Sequence, residues 1–151
     1  MATFTKTTVI NAPKPAVWAT LADIGSISVW NPGVKASHET SDAASGLGST
    51  RHCDLGGRNY LDEEVVEFDE GTVITMRIVG SNMPFAEADI RFTLEEQQSG
   101  TEVSVTPDYR LKYGPVGVAM DKLMVQRTYE KGMSGLLRGL KRHVESEFAA
   151  S

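Results

Sequence analysis

The stretch from Tyr129 to Phe148, YEKGMSGLLRGLKRHVESEF, decides how the chain must be assembled. Tyr129, Met133, Leu136, Leu137, Leu140, Val144 and Phe148 recur at the three- and four-residue spacing of one helix face. Lys131, Arg138, Arg142 and Glu145 fall on the other side, as on a solvated face. Gly132, Gly135 and Gly139 are out of place in such a helix, each costing about 1 kcal/mol relative to alanine. They lie beside the apolar stripe, which predicts that something needs room along that side. Upstream, Met120, Leu123 and Met124 are rotated off the stripe by roughly a third of a turn. Pro115 to Val125 therefore reads as a kinked start, a separate turn or a flap, over a cavity mouth or in a dimer contact.

Before this helix the chain reads mainly as strands. Thr3 to Asn11 is rich in β-branched residues, and Pro13 and Pro15 end it while suiting the first turn of a helix. Val17, Trp18 and Leu21 give that short helix an apolar face until Gly25, and Ile27 to Trp30 reads as a second, closed by Asn31-Pro32-Gly33. Strands are then expected over Val34–Glu39, Ser49–Leu55, Tyr60–Phe68, Thr72–Val79, Phe85–Glu96 and Thr101–Leu111. The breaks between them are turn-sized, as at Gly56–Asn59 and Gly80–Pro84, which argues an antiparallel meander. Alternate turns of a meander fall at one end of the sheet, so these two loops should sit together as a cavity mouth. Ile74, Met76 and Ile78 alternate with Thr75 and Arg77, and Ile90, Phe92 and Leu94 with Arg91, Thr93 and Glu95. A sheet with one dry face needs a cover, and the C-terminal helix is the one long amphipathic element available. The expected architecture is α+β: a curved antiparallel sheet of six to seven strands gripping a long C-terminal helix, with two short helices after the first strand. A single domain over residues 1–151 accommodates it.

Composition narrows the partners. A hydrophobic share of 40% and a charged share of 23% are those of a water-soluble globular chain. The net charge of −5 disfavours sequence-independent binding to nucleic acid or to an anionic membrane. The basic run Arg138, Lys141, Arg142 and His143 reads as a solvated helix face near a C-terminus. Cys53 stands alone, so no internal disulfide framework is expected, and a reducing, cytoplasmic setting fits. No leader pattern and no apolar run of about 18 residues is seen, so no stable membrane insertion is expected.

Parity also selects a site. The inward phase holds Met76, Ile78, Phe92 and Leu94; on the Ser49–Leu55 strand, Arg51, Cys53 and Leu55 share one phase. From the helix, Tyr129, Met133, Leu136 and Leu140 face the sheet, flanked by Gly132. On the Tyr60–Phe68 strand both phases mix apolar and acidic residues, so a bulge switching the face midway is expected, and either Glu63 or Glu64 could point inward. Tyr109 and Tyr113, near the end of the last strand, read as packing residues that could add hydroxyls.

The order of motifs resembles the helix-grip fold of the START and Bet v 1-like superfamily, and more narrowly the polyketide cyclase/dehydrase and lipid-transport (SRPBCC) family. Its carriers are Ala12-Pro13 before Val17-Trp18, Trp30-Asn31-Pro32-Gly33-Val34, Gly48 to Arg51, Glu63 to Asp69, Gly100 to Val103, and the ending Leu136 to Glu145. The resemblance spans essentially the whole chain. It implies a deep cavity between sheet and helix for sterols, lipids, polyketides, hormones or quinone-like compounds. It also implies Glu63 as the inward carboxylate and Lys35 as an anchoring cation, since plant hormone receptors of this fold place such residues at like positions.

Other chemistries find no support in the sequence. His38, His52 and His143 lie on separate elements without metal-ligand spacing, and Cys53 and His52 as strand neighbours point to opposite faces, so no metal and no cofactor are expected. Signatures of serine hydrolases, phosphate loops and dinucleotide binding are missing. Cys53 reads as a small buried apolar group rather than a nucleophile. The favoured function is binding or transport of a hydrophobic small molecule by a monomer or homodimer. Alternatives are a cyclase or dehydratase whose cavity carboxylate moves protons with Arg51 or a tyrosine, and a protein-interaction module of the same fold.

Overall fold

The computed structural model of the chain describes residues 2–42, 46–112 and 115–150, except for the side chains of 115–122. The strands are β1 (Ala2–Thr3), β2 (Lys6–Ile10), β3 (Ala36–Glu39), β4 (Thr50–Gly56), β5 (Asn59–Asp69), β6 (Val73–Ser81), β7 (Phe85–Gln97) and β8 (Gly100–Leu111). Helix α1 (Lys14–Ala22), a short 3-10 turn (Ile24–Ser26) and α2 (Ile27–Trp30) follow β2, and α3 (Pro115–Ala150) ends the chain. The sheet runs β1-β8-β7-β6-β5-β4-β3, with β2 also on β8 and every pairing antiparallel. β1 and β2 are one N-terminal strand broken in two, so the eight described strands fill the seven places expected.

The dry face of the sheet is the one its alternation predicts. Ile74, Met76, Ile90, Phe92, Leu94, Val103 and Val105 are buried against Met133, Leu136, Leu137, Leu140 and Val144 of α3. α1 and α2 close one end of this core with Val17, Trp18, Leu21, Ile27 and Trp30. The helical stripe stops short of its expected end. Glu145 accepts a hydrogen bond from Asn11 N (2.7 Å) just past β2, and Phe148, one turn further on, is about half exposed. The Pro115 to Val125 segment belongs to α3, so it is not a separate turn.

Two local irregularities position the site. In the β4–β5 turn, Gly57 (φ 59°) and Arg58 (φ 71°) both adopt positive φ, which the tight mirror-image hairpin turn requires. On β5, Val65 faces Met76 and Glu67 faces Thr75, which leaves Val66 without an opposite number. This is the expected face-switching bulge. Before it, Leu61, Glu63 and Val65 point inward; after it Phe68 does, packing on Trp18 with ring centroids 5.4 Å apart. Glu67, displaced to the outer face, accepts from Thr75 Oγ1 (2.7 Å) and Arg91 Nε (2.9 Å).

Candidate functional site

Where the sheet curves away from α3, a cavity of about 520 Å³ remains. Its floor is Arg51, Cys53 and Leu55 of β4, Leu61 and Glu63 of β5, Ile78 of β6, and Ile90 and Phe92 of β7. Its roof is the α3 face from Met124 to Leu136, including Tyr129, Gly132 and Met133. Ile27, Asn31 and Val34 close one side, and Met83, Pro84 and Phe85 the other. The size lies within the ~300–1,000 Å³ typical of small-molecule sites, and so does the chemistry, mostly apolar with a few placed polar groups.

Three of those groups, Arg51, Glu63 and Cys53, form one cluster. Arg51 and Glu63 face each other across β4 and β5, and Arg51 Nε donates to Glu63 Oε1 at 3.0 Å, with both side chains almost wholly buried. A second Arg51 bond, from Nη1 to the Ile24 carbonyl (3.1 Å), ties the guanidinium to the 3-10 turn. The Cys53 thiol also donates to Glu63 Oε1, at 3.7 Å. Burial pushes that thiol up to about 12, with the Arg51 charge pulling against it and the Glu63 carboxylate adding to it. Burial thus favours the neutral thiol over the nucleophilic thiolate.

Tyr129 projects from α3 within an aromatic group, its ring centroid 5.0 Å from that of Tyr109 and 5.6 Å from those of Phe4 and Phe85. Burial, then the nearby Glu63 charge, raises its phenol well above the ordinary value, so it keeps its proton. Among the described residues, neither Glu63 Oε2 nor the Tyr129 hydroxyl takes part in a hydrogen bond. The cavity lining thus holds an acceptor and a donor that no described protein group satisfies.

Of the residues singled out by sequence, Arg51, Cys53, Leu55, Glu63, Ile78, Phe92, Tyr129, Gly132, Met133 and Leu136 come together around this cavity. Lys35 does not. Its neighbour Val34 takes the inward position, and adjacent residues of an extended chain cannot both do so; Lys35 is exposed, with its N–H on the Asp54 carbonyl (2.7 Å). Met76 is also outside the cavity. It is packed among Leu21, Trp30, Ile74 and Phe92 around a gap of about 10 Å³, which is ordinary core. Tyr109 packs as expected, while Tyr113 lies outside the described residues.

The two turns expected at the mouth do meet, through Asn82 Nδ2 donating to the Arg58 carbonyl (2.7 Å) and Tyr60 N donating to Asn82 Oδ1 (3.1 Å). His38 and His52, on separate elements as read from the sequence, face each other across β3 and β4. His52 Nδ1 pairs with Asp62 Oδ1 at 2.6 Å, on the outer face. Among the described residues, no three His, Cys, Asp or Glu side chains gather as a metal site requires. Met83 and Pro84 come from the Gly80–Pro84 turn expected at the mouth, whereas sequence reasoning missed Ile27, Asn31 and Ile90 as lining residues. For Ile90 the signal was present, in its shared parity with Phe92.

The glycines of α3 divide. A Cβ on Gly132 would meet nothing within 4 Å, whereas one on Gly139 would run into the Trp30 carbonyl. Gly132 alone of the three lines the cavity. Gly132→Ala is expected to raise stability by roughly 0.5–1 kcal/mol, the helix-propensity difference. It should also weaken binding of a hydrophobic fluorophore, with urea denaturation and fluorescence titration reporting the two effects separately.

A family model described as polyketide cyclase / dehydrase and lipid transport matches residues 1–145. The chain belongs to that family. Membership in the polyketide cyclase/dehydrase and lipid-transport family implies hydrophobic ligand binding or cyclase-like chemistry. No curated protein matches the chain by sequence. Solved structures with the same fold include TTHA0849 from Thermus thermophilus (TM-score 0.81, 18% identity, covering 97% of this chain and 99% of that one). A START superfamily protein from Mycobacterium smegmatis aligns with TM-score 0.79 and 18% identity over 95% and 97% of the two chains. The Zhui aromatase/cyclase from a Streptomyces species aligns with TM-score 0.77 and 16% identity over 95% and 93%. At these identities the likeness establishes the fold of a family member and leaves its ligand open. Among the described residues no helix is long and apolar enough to cross a membrane.

Proposed function

We propose that the chain binds and carries an apolar small molecule in the cavity between sheet and α3. The observation that carries this reading is the state of Arg51 and Glu63, the charged groups of the cavity wall among the described residues. Arg51 and Glu63 are engaged with each other at 3.0 Å, and the remaining lining is mostly hydrophobic. A ligand would therefore be held chiefly by burial of its apolar surface, worth ~25 cal/mol per Å². One polar atom of the ligand would be met by the Tyr129 hydroxyl or Glu63 Oε2. Native mass spectrometry of the purified protein is expected to show a small-molecule adduct. After the adduct is stripped, the neutral dye Nile red should bind with one-to-one stoichiometry. An adduct-free chain that leaves Nile red unbound would sink the proposal.

A second reading, a cyclase or dehydratase, has one observation in its favour. Glu63 and Tyr129 line the same cavity, and among the described residues neither Glu63 Oε2 nor the protonated Tyr129 phenol takes part in a hydrogen bond. Such a pair can take a proton from one carbon and hand one to an adjacent carbonyl oxygen. Glu63→Gln would then abolish turnover of a poly-β-ketone substrate, while Nile red affinity changes little. Retention of turnover in that variant would exclude this reading.

A further inference from the structure

The outer edge of α3 carries a second concavity, next to the cavity. It is a surface groove along Lys6, Leu123, Met124, Arg127, Lys131 and Arg138. Met124 and Thr128 belong to both walls, so cavity and groove adjoin along one edge of the helix. That edge is low, because Thr128 is small and Gly132, one turn on, has open space where a side chain would stand. Leu123 and Met124 are largely exposed and continue the apolar surface outward.

The charge of the groove runs against that of the chain. The whole protein is net −5, yet Lys6, Arg127, Lys131 and Arg138 line the groove with one acid, Glu130. Glu130 is paired with Lys6 at 3.3 Å, which leaves Arg127, Lys131 and Arg138 without an ion-pair partner among the described residues. These three sit at i, i+4 and i+11, one row along about 16 Å of helix. An uncharged ligand lying wholly inside the cavity gives such a row nothing to do.

We infer that the ligand is an anionic amphiphile. Its apolar body occupies the cavity, and its acidic head, a carboxylate, phosphate or sulfate, crosses the Thr128–Gly132 edge to lie against Arg127, Lys131 and Arg138. This rests on the cavity-binding reading above and adds the charge and direction of the ligand to it. Exposed contacts are individually weak, so three together should favour the acid over a neutral analogue by about tenfold at low salt. The preference should fade as salt rises.

The test is competition against Nile red in the full chain, using myristate and its methyl ester at submicellar concentration. Myristate is expected to displace the dye at about one-tenth the concentration of the ester. Arg127→Glu combined with Lys131→Glu should erase that difference while leaving Nile red affinity unchanged. Equal displacement by acid and ester, or a preference that survives charge reversal, overturns the inference and leaves apolar binding standing. Failure of both competitors to displace bound Nile red overturns the inference alone; an adduct-free chain that leaves Nile red unbound overturns it together with the cavity reading.

Discussion

Replacing Arg51 with methionine is expected to destabilise the protein by about 3–5 kcal/mol. The guanidinium holds Glu63 Oε1 at 3.0 Å and the Ile24 carbonyl at 3.1 Å, and both charged residues are at most 5% exposed. Removing one partner leaves a buried carboxylate whose remaining donor is the Cys53 thiol, a weak one. It also unpins the 3-10 turn that delivers Ile27 and Asn31 to the cavity. The companion variant Arg51→Met with Glu63→Leu removes both charges, and it should recover most of the loss, because an apolar pair carries no desolvation cost. Urea denaturation of the three proteins checks this. If the double variant is as unstable as the single one, the guanidinium matters through the Ile24 carbonyl rather than through Glu63.

Gly139→Ala should cost about 2–3 kcal/mol net, even though alanine is the better helix former. The new methyl would overlap the Trp30 carbonyl oxygen and come within 2.9 Å of Pro32 Cδ. Trp30 ends α2 and Pro32 lies in the turn after it, so α3 would have to lift away from both. A fall in thermal midpoint is expected, opposite in sign to the effect of Gly132→Ala seven residues earlier. Unchanged stability would mean that α2 and α3 do not touch at this point.

The opposed glycines show how far the sequence could be read. Their spacing beside the apolar stripe signalled that a normal core would not suit them, but gave no means of telling a void from a backbone contact. Only Gly132 borders the cavity; Gly139 admits the end of α2, and a Cβ on Gly135 would approach nothing but the Arg138 side chain. The strands were legible because alternation is a local property of the chain. So was the bulge on β5, since Tyr60 to Phe68 mixes acidic and apolar residues in both phases. Parity assigns a face and carries no information on depth. Met76 and Ile78 share a face, yet Met76 lies beneath Trp30 and Leu21 while Ile78 opens on the cavity. Lys35 failed for a different reason, since β3 begins one residue later and Val34 already fills the inward place. Asn31 reaches the cavity through the three-dimensional path of the turn after α2, which no periodicity encodes.

The pairing of β2 with β8 also constrains when the protein can form. Ile10 lies opposite Thr101 and Lys6 opposite Val105, so the first strand of the sheet is completed against the last. During synthesis residues 6–10 have no partner until β8 has left the ribosome, and α3 has no complete sheet to cover until then. Pairings this distant along the chain make for slow folding, roughly milliseconds to seconds for β-rich domains. Through that interval the apolar rows of β6 and β7 stand open to water, so the nascent chain depends on being kept from its neighbours until its own C-terminal helix arrives.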